Sequence, residues 1–144
     1  PEILFWVGCA GSFDDRYKKV TVSFAKILQN AKINFAILGL EESCTGDPAK
    51  RAGNEFLAQM MAMNNINTLN NYKIKKIVTA CPHCFNTLLN EYPALGGHYE
   101  VIHHSTLLEQ LISQGKIIIN SQNRFSNEKV TFHDSCYLGR GNII

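Results

Sequence analysis

The sequence predicts an α/β fold: a doubly wound, mostly parallel sheet with helices on both faces and cysteines at the carboxyl edge of the strands. Two observations carry that expectation. Short, continuously apolar runs alternate with segments of helical periodicity from the first residue onward, and an apolar run without alternation suits a strand covered on both faces. The intervening segments have the length of crossover helices, which makes the strands parallel and the crossovers right-handed.

The first run is Ile3-Leu4-Phe5-Trp6-Val7, ending at the small-residue turn Gly8-Cys9-Ala10-Gly11-Ser12. Val20, Phe24, Ile27, Leu28 and Ala31 then share one helical face, which gives a first helix over 14–31. Residues 33–38 form the second strand, and Gly39 opens a long loop through Cys44-Thr45-Gly46. Asp47 followed by Pro48 marks the next helix start, cap then first turn. Phe56, Leu57, Met60 and Met61 supply that helix's apolar stripe, and it frays into the Asn-rich residues 64–71.

The third strand, 74–80, runs into Cys81-Pro82-His83-Cys84 and a helix that stops at Tyr92-Pro93. Gly96-Gly97 turns the chain into a fourth strand, 99–103. Thr106 with Glu109 reads as a capping box for a helix with the stripe Leu107, Leu108, Leu111 and Ile112. Residues 116–120 suit a short extended piece. Residues 129–133 begin a new strand.

Composition narrows the function classes. The chain has 144 residues, 45% hydrophobic and 18% charged, which suits one soluble domain with a real core. The net charge of +2 is scattered, which argues against nucleic acid as a partner. No apolar run approaches the roughly 20 residues that cross a bilayer. No secretory signal is read, and Pro1 in place of an initiator Met suggests a trimmed N-terminus. Five cysteines cannot all pair internally, and they are too sparse for a disulfide scaffold. They imply a reducing compartment with thiols kept for chemistry.

Those thiols are the chemical signal. Cys9 follows the first strand, Cys44 the second, and Cys81 and Cys84 the third, so three strand ends deliver thiols to one edge. Pro82 suits a first helical turn, which puts Cys81 and Cys84 at a helix N-terminus that favours thiolate. Four thiolates from three loops meet the needs of a cubane iron–sulfur cluster and equally of tetrahedral zinc. Only one pair is tight, which favours the larger centre. Cys81 and Cys84 could also act alone as a redox dithiol, and buried inert thiols are the plainest alternative.

Near the other end, Phe132-His133-Asp134-Ser135-Cys136 repeats the spacing of Phe5-Trp6-Val7-Gly8-Cys9, 127 residues on. The division expected is a first cysteine-rich unit over 1–120, a polar linker over 121–128, and the truncated start of a second unit over 129–144. Cys136 would then be the first ligand of a second site.

This constellation resembles the cysteine-rich, or CCG, domain of heterodisulfide reductase subunits and of the iron–sulfur subunits of glycolate oxidase, anaerobic glycerol-3-phosphate dehydrogenase and lactate-utilisation systems. That pattern is a lone Cys, then Cys-Cys-Gly, then Cys-x-x-Cys, commonly present twice. Cys9, Cys44-Thr45-Gly46 and Cys81-Pro82-His83-Cys84 match the order, and His133-Asp134-Ser135-Cys136-Tyr137-Leu138-Gly139-Arg140 looks like the start of a second copy. Thr45 replaces the second Cys of the pair, which the non-cubane cluster of heterodisulfide reductase requires. The resemblance therefore implies an ordinary [4Fe–4S] cluster on Cys9, Cys44, Cys81 and Cys84, or a site completed by the second copy. It further implies electron transfer, a flavin-containing or other iron–sulfur subunit as partner, and a cytoplasmic location or a peripheral one at the inner face of the membrane. An aerobically prepared fragment could lack the cluster.

Neighbouring residues have competing readings. His103 and His104 end the fourth strand on the cysteine edge, either as polar caps or as donors to a cluster sulfur. His83 is expected to be half exposed and to shade the thiolate charge, while His98 is a plain loop residue. Met60, Met61 and Met63 read as core and rim, and Trp6 as core. Asp14, Asp15 and Arg16 begin a helix, whose dipole explains the aspartates. Lys50 and Arg51 either offset thiolate charge or lie on a solvated helix face.

Overall fold

The computed structural model describes residues 1–119 and 128–144. Four parallel strands, β1 (Ile3–Trp6), β2 (Phe35–Ala36), β3 (Lys76–Thr79) and β4 (Glu100–His103), form one sheet in the order β2-β1-β3-β4. The central pair is registered Leu4 to Ile77, Phe5 to Val78 and Trp6 to Thr79.

Every residue of β1 is buried because both faces are covered. Leu4, Trp6 and Ile77 pack with Ala62, Ile66 and Leu69 of α4 (Glu55–Asn71) and with Phe85 of α5 (Pro82–Asn86). Ile3, Phe5 and Val78 face the other way, against Phe24 and Leu28 of α2 (Asp15–Asn30) and Leu107 and Leu111 of α6 (His104–Ser113). Side chains alternate across a strand, so a continuous apolar run is what a doubly covered strand needs. The chain leaves β1 in one direction to β2 and later in the other through β3 to β4. A crevice opens at the carboxyl ends where the order reverses, between β1 and β3.

Several elements differ from the sequence expectation. The turn after β1 is itself a short helix, α1 (Gly8–Phe13), entered through Gly8 at φ +76°. Asp14 then caps α2 by accepting the Tyr17 amide at 2.7 Å. Strand β2 is only two residues long, because Ile37 already lies exposed at the sheet rim before a 3-10 turn, Gly39–Glu41. The expected single helix from Asp47 is two, α3 (Asp47–Arg51) and α4, broken at Gly53 (φ +84°) with Asn54 capping Leu57. Asp47 is the first helical residue and makes no cap.

The buried face of α4 is Ala58, Ala62, Asn65, Ile66 and Leu69, while Phe56, Met60 and Met63 are 75%, 54% and 52% exposed. Met61 is half-buried. Both stripes have helical spacing. The loop before α3 lies hard against this buried face at Ala58, where a Cβ on Gly46 would stand 2.8 Å from the carbonyl oxygen. Nor does the Asn-rich end fray; α4 continues to Asn71.

Helix α5 runs on through a π-turn, Thr87–Glu91, and a 3-10 turn, Tyr92–Leu95, before Gly96 turns the chain at φ +88°. Helix α6 starts directly after β4, so Thr106 falls inside its first turn and the capping box does not form. Residues 116–119 are not a strand, and Asn120 lies outside the described residues. Residues 121–127 of the expected linker also lie outside them. Residues 129–133 are exposed and pair with no strand, and a strand needs a ladder partner to satisfy its amides. The chain next makes a π-turn, Cys136–Arg140, that docks on α5: Leu138 joins the core there and Asn142 bonds Asn86 and Asn90.

Candidate metal centre

The crevice at the strand reversal holds a cleft of about 410 Å³ lined by Cys9, Cys44, Cys81 and Cys84. The topology places each of them. Cys9 sits in α1 straight after β1, Cys44 in the loop after β2, Cys81 at the cap of α5 after β3, and Cys84 in the first turn of α5. Pro82 occupies the first helical turn, as its missing N–H allows. Gly8 makes the approach possible: a Cβ there would stand 3.3 Å from the Cys84 sulfur.

All five cysteines are free thiols. Cys136 is exposed and does not line the cleft. Its neighbour Tyr137 reaches the rim, with its ring edge-on to His83 at 4.6 Å and the Arg51 guanidinium 5.6 Å from its centre. Among the described residues, no three His, Cys, Asp or Glu groups converge tightly enough for a single ion. The four thiols line one cleft rather than meeting at a point.

The two α5 thiols are electrostatically unlike. The Cys84 thiol, the α5 amides and the His83 charge hold Cys81 down to about 6, against the cost of burial. Cys84 is pushed strongly up by its partner Cys81, by burial and by the charges of Cys9 and Glu42. Cys81 is therefore the more acidic thiol of the pair.

Charged groups crowd the rim. Asp47 is buried, and its carboxylate meets Arg51 Nε at 3.0 Å and His83 Nδ1 at 2.9 Å. Arg51 also pairs with Glu91, and Lys50 meets Glu91 at 3.0 Å. Neither Lys50 nor Arg51 is thus simply solvated. His83 is exposed over about half its side chain. Glu42 accepts the Val7 amide at 3.0 Å and the Gly8 amide at 2.6 Å. Burial raises its pKa and those amides pull it back. A further cavity of about 250 Å³ lies behind the Cys44 loop, bounded by Thr45, Gly46, Thr87 and Tyr92.

His103 and His104 do not reach the cleft. His103 is buried, with Nδ1 2.7 Å from the Ser105 hydroxyl and Nε2 3.2 Å from the Ala80 carbonyl. That carbonyl also accepts the Tyr17 hydroxyl at 3.0 Å, so two side chains fix the peptide preceding Cys81. Trp6 is buried core and also floors the cleft. Dipole complementation is the expectation for Asp14 and Asp15; Asp14 instead caps α2 by a side-chain hydrogen bond, and Asp15, in its first turn, pairs with Lys18.

Sequence reasoning missed Glu42, Asn65, Tyr92 and Tyr17. A carboxylate in a loop reads as solvated, and an Asn within an Asn-rich run reads as a frayed end. The one available signal for Asn65 was its place on a helical stripe with Ala58, Ala62 and Leu69.

Known proteins resemble this chain over the residues that carry the cleft. The cysteine-rich domain family, CCG, matches residues 3–89, more than half of the chain and every thiol of the cleft. The chain is 46% identical over 141 residues to an EtfAB:quinone oxidoreductase of Syntrophomonas wolfei, covering 98% of this chain and 19% of that protein. It is 49% identical over 143 residues to the probable iron-sulfur-binding oxidoreductase FadF of Bacillus subtilis, covering 99% and 20%. Over 147 residues it is 33% identical to one of the subunits of the dihydromethanophenazine:CoB–CoM heterodisulfide reductase of Methanosarcina barkeri, covering 96% and 34%. The chain thus spans about a fifth of the length of the first two relatives. No solved structure matches it. No described helix is long and apolar enough to cross a membrane. The chain belongs to the cysteine-rich, CCG, domain family, and is homologous to iron–sulfur oxidoreductases and to heterodisulfide reductase.

Proposed function

We propose that this chain binds an iron–sulfur cluster, of the [4Fe–4S] type, through Cys9, Cys44, Cys81 and Cys84, and serves as an electron-transfer part of an oxidoreductase. The supporting observation is that thiols from three separate strand ends line one cleft. The donor set fits such a group. Four cysteines line the one cleft, which suits one thiolate per iron, and the Cys81 pKa is lowered towards the thiolate.

Bound, the cluster supplies a one-electron couple. The chain's own residues bind and shield it: Trp6 and Gly8 floor the cleft, and Arg51 at the rim offsets negative charge. Thr45 stands at the position of the second Cys, which favours the cubane over a non-cubane cluster. The partner proposed is a flavin-containing or second iron–sulfur subunit, with no role for nucleic acid. The location proposed is cytoplasmic, or peripheral at the inner face of the membrane. Residues 1–120 form the first cysteine-rich unit, 121–128 a linker, and 129–144 the start of a second in which Cys136 would be the first ligand.

A second reading has one observation in its favour. The low Cys81 pKa beside a protonated Cys84 suits a thiol–disulfide exchange pair. The two readings separate on reduction of the anaerobically reconstituted chain with dithionite. A cluster bleaches in the visible and gains a paramagnetic signal in the frozen state. A dithiol or a zinc site stays colourless and silent, and that result would move the assignment away from iron.

A further inference from the structure

Three of the cleft's thiols hang on regular backbone, in α1 or at the start of α5. Cys44 does not. Residues 42–46 belong to no helix or strand, so their peptide groups need partners from elsewhere.

Two fully buried side chains supply them, Asn65 from α4 and Tyr92 from the 3-10 turn after α5. Asn65 Oδ1 accepts the Ser43 hydroxyl at 2.8 Å and the Ser43 amide at 3.4 Å. Its Nδ2 donates to the Cys44 carbonyl at 2.9 Å and to the Tyr92 hydroxyl oxygen at 3.1 Å, with the Ser43 carbonyl at 3.5 Å. The Tyr92 hydroxyl donates onward to the Thr45 carbonyl at 3.2 Å. A carbonyl can only accept, so the amide nitrogen has to face Cys44 and the orientation of Asn65 is determined. One amide and one phenol thus hold three consecutive residues, with the thiol at their centre. Gly46, pressed against Ala58, pins the next residue.

Shape alone does not ask for an amide at position 65. Its neighbours on that face are Ala62, Ile66 and Leu69, among which an apolar side chain would pack. A satisfied buried polar network instead selects one arrangement of the chain it binds.

We infer that Asn65 and Tyr92 are positioning residues for Cys44: together they set where its sulfur stands relative to the Cys81–Cys84 pair. Any effect on a bound cluster rests on the proposed function, whereas the effect on the thiol itself does not.

The test is the alkylation rate of each cysteine by iodoacetamide in the metal-free 144-residue chain, resolved by peptide mass spectrometry under folding conditions. The variants are Tyr92→Phe, which removes one hydroxyl, and Asn65→Leu, with Ile66→Val as a packing control that touches no loop hydrogen bond. The Cys44 rate should rise about threefold in Tyr92→Phe and about tenfold in Asn65→Leu as loop bonds are lost, with Cys9 and Cys81 within about twofold of wild type. An unchanged Cys44 rate would overturn the inference. So would an equal rise at every cysteine, or the same Cys44 rise in Ile66→Val, because either is plain loosening. If Asn65→Leu does not fold, Tyr92→Phe decides alone. Failure of the wild type to take up iron would sink the cluster assignment and leave these rates to judge Asn65 and Tyr92.

Discussion

The Glu42 carboxylate accepts the Gly8 amide at 2.6 Å and the Val7 amide at 3.0 Å, tying the loop after β2 to the turn after β1. Cys44 and Cys9 belong to these two segments, so one side chain sets the mouth of the cleft between them. Removing it leaves two amides at a partly buried junction without partners. Glu42→Ala should cost about 2 kcal/mol in urea unfolding, and Glu42→Gln less, since Gln keeps one acceptor oxygen. A cost below about 0.5 kcal/mol for the alanine would mean water replaces the carboxylate freely.

Gly46 is constrained twice, by its φ of +94° and by the Ala58 carbonyl oxygen 2.8 Å from any Cβ. Gly46→Ala should lose about 2–4 kcal/mol, because the strained backbone and the overlap with a helix carbonyl add. Thermal unfolding at fixed protein concentration reads the loss. Gly53→Ala serves as a comparison, since its φ is also positive but nothing lies within 4 Å of its Cβ position.

The orientation of α4 yields a paired expectation. Ile66→Ala, which opens a hole among Leu4, Trp6 and Leu88, should cost about 2–4 kcal/mol. Met60→Ser, on the exposed side, should stay within about 0.5 kcal/mol. Equal costs would mean that α4 is rotated from the arrangement described.

That same helix marks where the sequence was legible and where it was not. The apolar run of β1 announced a strand covered on both faces, and Pro82 between two cysteines announced a helix start. Both follow from local chemistry. The face of α4 does not, because Phe56-Met60-Met63 and Ala58-Ala62-Ile66 are equally helical stripes and only tertiary packing against the sheet and α5 chooses between them. Asn65 was illegible for a related reason: its partners, the Ser43, Cys44 and Thr45 peptides and Tyr92, are distant in sequence. For residues 129–133 the composition of a strand was present, but pairing depends on a neighbour that the described sheet does not offer.

Acid should weaken the fold through His103 and His104, where β4 passes into α6. Burial, and then the neighbouring His103, hold His104 down to about 4 from its ordinary 6.5, and burial lowers His103 as well. Between those values the unfolded chain binds the extra proton, so the stability is fully present above 6.5 and is lost as pH falls towards 4. Glu42, raised by burial, titrates in the opposite sense, which makes a difference measurement necessary. From about pH 7 to about pH 5, wild type should lose roughly 1 kcal/mol more than His104→Asn, a figure discounted for the partial exposure of the ring. Parallel pH profiles would show that His104 titrates normally.

The most direct measurement is the iron and acid-labile sulfide bound per chain after anaerobic reconstitution, in the wild type, in each of Cys9→Ser, Cys44→Ser, Cys81→Ser and Cys84→Ser, and in Cys136→Ser. A cubane held from three strand ends should give about four irons and four sulfides in the wild type and in Cys136→Ser, and a marked loss in the other four variants. Full iron retained in both Cys9→Ser and Cys44→Ser, or stoichiometric zinc with no sulfide in the wild type, would contradict it.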